Sequence, residues 1–158
     1  MAPARPVRGL TCEESFRTAA GKIIWTRFEE MMAFREAALA GEDPEGVHDM
    51  RVASRRLRAA IELFHDVFPR RRLRPMLRSV KDLADALGQV RDLDVMLERL
   101  QADRAGRPAG QRLVLTDMVA DLERKRREAR RALVETVETL EREDFPRRFV
   151  ALVARETT

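Results

Sequence analysis

The chain has 158 residues, 44% of them hydrophobic and 37% charged, which suits one domain with a real core and argues against wholesale disorder. Seven Gly, seven Pro and eight aromatics without a Tyr are too few turn and strand formers for an all-β sandwich or barrel, and the one thiol, Cys12, excludes an intrachain disulfide. The formal net charge is +4, and the longest apolar run, Phe149 to Ala154, is six residues, far short of a membrane span.

Residues 1–10 carry Arg5 and Arg8 but no apolar stretch of the secretory type, and are expected to be a flexible N-terminal segment ahead of a single domain over 11–158. A first helix is predicted to open at Thr11, where Thr11-Cys12-Glu13-Glu14 fits a capping box, and to run to about Ala40 before Gly41. The second starts with Asp43 as N-cap and Pro44 at the first helical position and continues to about Val67. The third runs from near Leu73, with Pro75 tolerable in its first turn, to about Arg104 before Gly106 and Pro108. The fourth spans roughly Gln111 to Arg142, and a short fifth, Phe145 to Arg155, follows Asp144. Connections of a few residues make successive helices antiparallel. The expected fold is all-α: an up-down bundle of four long helices plus a short C-terminal one, soluble and cytoplasmic.

Charge is concentrated. Between Pro44 and Lys81 stand ten Lys/Arg and four acids, an excess of six positive charges, so the rest of the chain is net negative. Projected at 100° per residue, His48, Arg51, Arg55 and Arg58 fall within an arc of about 80°, beside a core face formed by Met50, Ala53, Leu57, Ile61, Phe64 and Phe68. Val52, Ala59 and Leu63 form a further small apolar set expected to meet another neighbour. On the third helix Arg74, Arg78 and Lys81 form a second basic row, and on the fourth Arg124, Arg127 and Arg131 a third. Three rows are expected to line one groove.

His48 to Arg58 covers roughly 15 Å of helix axis, a ladder of cations about 5 Å per rung. A single phosphate needs donors converging on a point, whereas a ladder suits a linear polyanion, and neither a P-loop nor a dinucleotide-binding glycine turn occurs. The bland counterpart is a solvated face laced by pairs such as Arg58–Glu62 or Lys81–Asp85. His65 reads as a structural residue near the core edge, and two histidines 17 apart without cysteine partners make a poor zinc site. Asp82, Asp85, Asp92 and Asp94 read as groups that orient arginines rather than metal ligands. Neither a catalytic constellation nor a cofactor or metal site is expected.

The stretch Val47-His48-Asp49-Met50-Arg51-Val52-Ala53-Ser54-Arg55-Arg56-Leu57-Arg58-Ala59-Ala60 resembles the signature helix of the CHAD family, the conserved histidine α-helical domain. Leu83-Ala84-Asp85-Ala86-Leu87-Gly88-Gln89-Val90-Arg91-Asp92-Leu93-Asp94-Val95 is similar to its second hallmark helix. The resemblance implies a helical domain that binds inorganic polyphosphate in a basic groove, often at polyphosphate granules. Carried over by motif, the binding residues are His48, Arg51, Arg55, Arg56, Arg58 and Lys81; Arg74, Arg78, Arg124, Arg127 and Arg131 extend the set from the projections. The family's usual unit has two similar helical halves, and this chain matches the first: it has no histidine after His65. A homodimer is therefore expected. Nucleic-acid backbone binding and docking of an acidic protein are the alternatives.

Overall fold

The computed structural model describes residues 3–157, and among them the chain forms six helices and no strand. They are α1 (Phe16–Ala33), α2 (Arg35–Ala40), α3 (Pro44–Leu63), α4 (Arg70–Ala105), α5 (Ala109–Arg142) and α6 (Phe145–Thr157). The all-α bundle expected from periodicity is what the chain adopts. Met1, Ala2 and Thr158, which the expected boundaries include, lie outside the described residues.

The predicted first helix ends at Ala40 before Gly41 as expected, but it starts later and is broken in its interior. Thr11 N–H does donate to Glu14 Oε1 at 3.1 Å, but the helix begins at Phe16, because Ser15 is the better-placed cap and its Oγ accepts from Thr18 N–H at 3.1 Å. The helix is then interrupted at Phe34, and α2 turns to lie on the start of α3. Gly46 makes that approach possible: a Cβ there would stand 2.6 Å from the Ala37 carbonyl oxygen. Gly41, at φ +69°, closes α2.

Asp43 caps α3 as predicted, accepting from Glu45 N–H at 2.9 Å. That helix stops at Leu63, a turn earlier than predicted, and α4 starts a turn earlier, at Arg70. Residues 3–10 are non-helical and lie against α1, where Lys22 donates to the Gly9 carbonyl and Arg27 to that of Arg5.

One hydrophobic cluster joins the bundle. Ile24, Phe28 and Met31 of α1 meet Met50, Leu57 and Ile61 of α3, Val80 and Leu87 of α4, Leu133 and Val137 of α5, and Phe149 of α6. Phe28 and Phe149 stack with ring centroids 4.4 Å apart, which docks α6 on α1. Consequently α3 packs between α1 and α4, while α5 covers another side of α4. That order decides which basic rows can meet.

A candidate anion-binding seam

Two observations set the register of α3 against α4. Arg51 Nε lies 3.7 Å from where a Cβ on Gly88 would stand. Two turns further along each helix, Glu62 Oε1 accepts from Arg58 Nε at 3.0 Å and pairs with Lys81 Nζ at 3.4 Å. Arg51 is thus level with Gly88, and Arg58 with Lys81, as antiparallel helices require. The same register brings His48 level with Arg91.

The α4 flank along this seam reads Lys81, Ala84, Gly88, Arg91, all half-buried. The two small residues leave room between two cations, and the Arg51 guanidinium reaches it through Nε. Arg51 and Arg58 are half-buried and Arg55 is exposed, so the guanidinium heads stay at the solvent edge of an apolar strip. The hydrogen bond from Arg58, reinforced by Lys81, holds the Glu62 carboxyl below its ordinary range. Glu62 therefore stays charged and sits as the one acid bridging the two rows at this level.

The family profile of the CHAD domain matches residues 22–158. The chain belongs to the CHAD family. It is also similar to the crystal structure of the CHAD domain from the plant Ricinus communis, with 27% sequence identity and a TM-score of 0.68. The match covers 99% of this chain and 50% of that one, so the chain spans half the length of the plant CHAD domain. Comparison with curated protein sequences gives no match. No helix of the described residues is long and apolar enough to cross a membrane.

Of the residues carried over from the CHAD motifs, His48, Arg51, Arg55, Arg58 and Lys81 come together along the seam. Arg56 does not. It crosses to α1 and, with Arg27, holds the carboxylate of Glu30, which is only 1% exposed. Arg74 and Arg78 are exposed and prolong the α4 row towards and past the end of α3. The α5 row does not line the same seam, because α5 packs along α4 and not along α3. Arg124 is engaged on its own helix by Asp121 (2.6 Å) and Glu128 (2.9 Å), bonds that raise its pKa, while hydrogen bonds from Lys125 and then Arg124 lower that of Asp121. Arg131 is exposed, and Arg127 faces a different cleft.

That cleft, about 630 Å³, lies where α4, α5 and the first residue of α3 meet, and Arg91, Asp94, Arg126 and Arg127 line it. Arg91 belongs to both cleft and seam, and sequence projection missed it. Asp94 does orient an arginine, as expected: it is 7% exposed and paired with Arg126, although its second oxygen, Oδ2, is buried without a hydrogen-bond partner.

His48 has its Nδ1 buried and without a hydrogen-bond partner, and its donor atoms gather with Glu45 and Asp49 within 4.8 Å of one another. All three come from one helix segment, so an ion there would draw its remaining ligands from water. His65 is not at the core edge: it is exposed, with Nδ1 2.9 Å from the Glu62 carbonyl and Nε2 3.1 Å from Asp66. The apolar set beside the row also stays open, with Leu63 73% exposed.

Proposed function

We propose that this CHAD domain binds inorganic polyphosphate, laying the chain along the α3/α4 seam with His48, Arg51, Arg55, Arg58, Lys81 and Arg91 as donors. The observation that carries the reading is the shared register: cations recur at matching levels on two antiparallel helices, and small residues separate them on α4. Guanidinium groups give charge-assisted, forked hydrogen bonds to successive phosphates, and His48 adds a ring N–H donor. The role is binding and not catalysis, with localisation to polyphosphate granules in the cytoplasm as its consequence.

Buried aromatics favour this ligand over single-stranded nucleic acid. Five of the eight aromatics, Phe28, Phe64, Phe68, Phe145 and Phe149, are core residues and unable to stack on bases, and the large exposed ring, Phe16, stands at the start of α1 and not on the α3/α4 seam. Titration calorimetry with long-chain polyphosphate, with pyrophosphate as the short control, tests the reading. Long chains should bind far more tightly, and Arg51, Arg55 and Arg58 changed together to Glu should abolish binding with helicity intact. Tighter binding of competing duplex DNA would overturn it.

We further propose that a second copy completes the unit. Leu63 and Ala59 are exposed beside the seam, and the chain matches half of the plant CHAD domain. Sedimentation at micromolar concentration should show a dimer, and an 18.2 kDa species alone would defeat this.

A further inference from the structure

Residues 3–10 form a strap along α1, ahead of the stretch that the family profile matches. Two cations of α1 hold the strap by its backbone: Arg27 donates to the Arg5 carbonyl and Lys22 to that of Gly9. Gly9, at φ +70°, turns the chain at the second anchor. Both anchoring cations are paired, Lys22 with Glu14 and Arg27 with Glu30. Arg5 and Arg8 are not. Both are exposed, and among the described residues neither guanidinium makes an ion pair or a hydrogen bond.

Between strap and helix runs a cleft of about 590 Å³, within the ordinary range for small-molecule sites. Its two walls differ in chemistry. Arg5 and Arg8 supply donors from the strap, while Trp25, Thr26 and Glu29 line the side of α1. The half-buried indole of Trp25 is a flat apolar face between the two anchor positions. Thr26 Oγ1 gives its hydrogen to the Lys22 carbonyl at 2.8 Å, so toward a ligand it only accepts. Glu29 is an exposed carboxylate without an ion pair among the described residues, and it also accepts. Two unpaired guanidiniums against one unpaired carboxylate leave the cleft with an excess of positive charge.

A ligand that meets all of these groups has three parts: an anion for the guanidiniums, a flat ring for the indole, and hydroxyl or amino hydrogens for the acceptors. We infer that this cleft binds a mononucleotide, with its phosphate on Arg5 and Arg8, its base on Trp25, and its ribose hydroxyl and base amino groups toward Thr26 and Glu29. Forked, charge-assisted hydrogen bonds hold the phosphate. One ring serves one base, so the site suits a free nucleotide and not a strand. None of the seam residues lines this cleft, so the assignment is independent of polyphosphate binding.

Trp25 is the only tryptophan, so its fluorescence reads the cleft directly. Titrating the full chain with adenosine monophosphate should quench that fluorescence to saturation. Ribose 5-phosphate, which lacks the base, and adenosine, which lacks the phosphate, should each compete about fivefold more weakly or worse. Arg5→Gln with Arg8→Gln should weaken adenosine monophosphate about tenfold or more, as loss of charge-assisted bonds requires, and leave long-chain polyphosphate within about twofold. The seam variant with Arg51, Arg55 and Arg58 changed to Glu should keep its nucleotide affinity. Quenching that never saturates, ribose 5-phosphate competing as well as the nucleotide, or unaltered nucleotide affinity in the strap variant would overturn the assignment. Both strap arginines are exposed, so the strap variant keeps its fold, and the comparison of three ligands on unaltered protein decides the matter without it.

Discussion

Glu62→Gln tests the seam at the acid that bridges its two rows. The carboxylate lies 3.0 Å from Arg58 Nε and 3.4 Å from Lys81 Nζ, so phosphates seated on those cations would lie roughly 6 Å from a competing negative charge. At water's dielectric each such pair repels by about 0.7 kcal/mol, or ~1.4 kcal/mol for two neighbouring phosphates. Removing the charge should tighten polyphosphate about tenfold at low ionic strength. At 0.15 M salt the Debye length is ~8 Å, which roughly halves the term and leaves about threefold. The Arg58–Glu62 pair is an exposed i,i+4 bridge worth about 0.5 kcal/mol or less, so the fold survives its loss. Acid should imitate the substitution. The hydrogen bond from Arg58 depresses the folded pKa of Glu62 below 4.5, so the pair's stabilisation is present above the unfolded carboxylate value and is lost as pH falls through the depressed one. The affinity ratio between variant and unaltered protein, measured by calorimetry across pH, should therefore shrink towards one only below pH 4.5. A variant that binds no more tightly than the parent at low salt would show that polyphosphate does not run past Arg58 and Lys81.

Arg56→Ala should destabilise the fold by about 1–3 kcal/mol in urea, because buried Glu30 keeps only Arg27 as its partner, while polyphosphate affinity stays within twofold. An Arg56 variant that is stable but loses the ligand would return this residue to the binding row. Gly46→Ala should destabilise by ~3 kcal/mol or more, since its Cβ would meet backbone at 2.6 Å; a wild-type denaturation midpoint would refute the close approach of α2 and α3. Gly88→Ala should instead raise the melting temperature by a few degrees, because a Cβ 3.7 Å from Arg51 Nε is an ordinary contact and alanine favours helix by about 1 kcal/mol.

Most of the bundle could be read from local chemistry. Asp43-Pro44, Gly41 and the Gly106–Pro108 pair punctuate helices whatever surrounds them, and their predicted ends lie within a few residues of those observed. The break at Phe34 could not, because Met31 to Glu36 contains neither glycine nor proline. What favours it is packing, the seating of Ala38, fully buried, beside Gly46 of the next helix. The early start expected at Thr11 failed for a local reason: two capping sequences lie four residues apart, and Ser15 is the one that the helix uses.

The seam was half legible. Each row follows from the helical period, but the pairing of Arg51 with Gly88 and of Lys81 with Glu62 depends on register, which a projection of one helix does not contain. Arg91 shows the same limit in another form. On a wheel it falls in the arc of Leu73, Val80 and Leu87, among core residues, yet the central cluster on α4 ends at Val90. One position further on, the same angular face no longer points into hydrocarbon but into a cleft shared with α5. A wheel records direction and is blind to where along a 36-residue helix the neighbours stop. The α5 row was misplaced for the converse reason: Arg124 and Arg131 lie on one arc, but their helix packs on the wrong side of α4 to face α3. Basic rows can therefore share a groove only where the fold sets their helices side by side, which holds for α3 with α4 but not for α3 with α5.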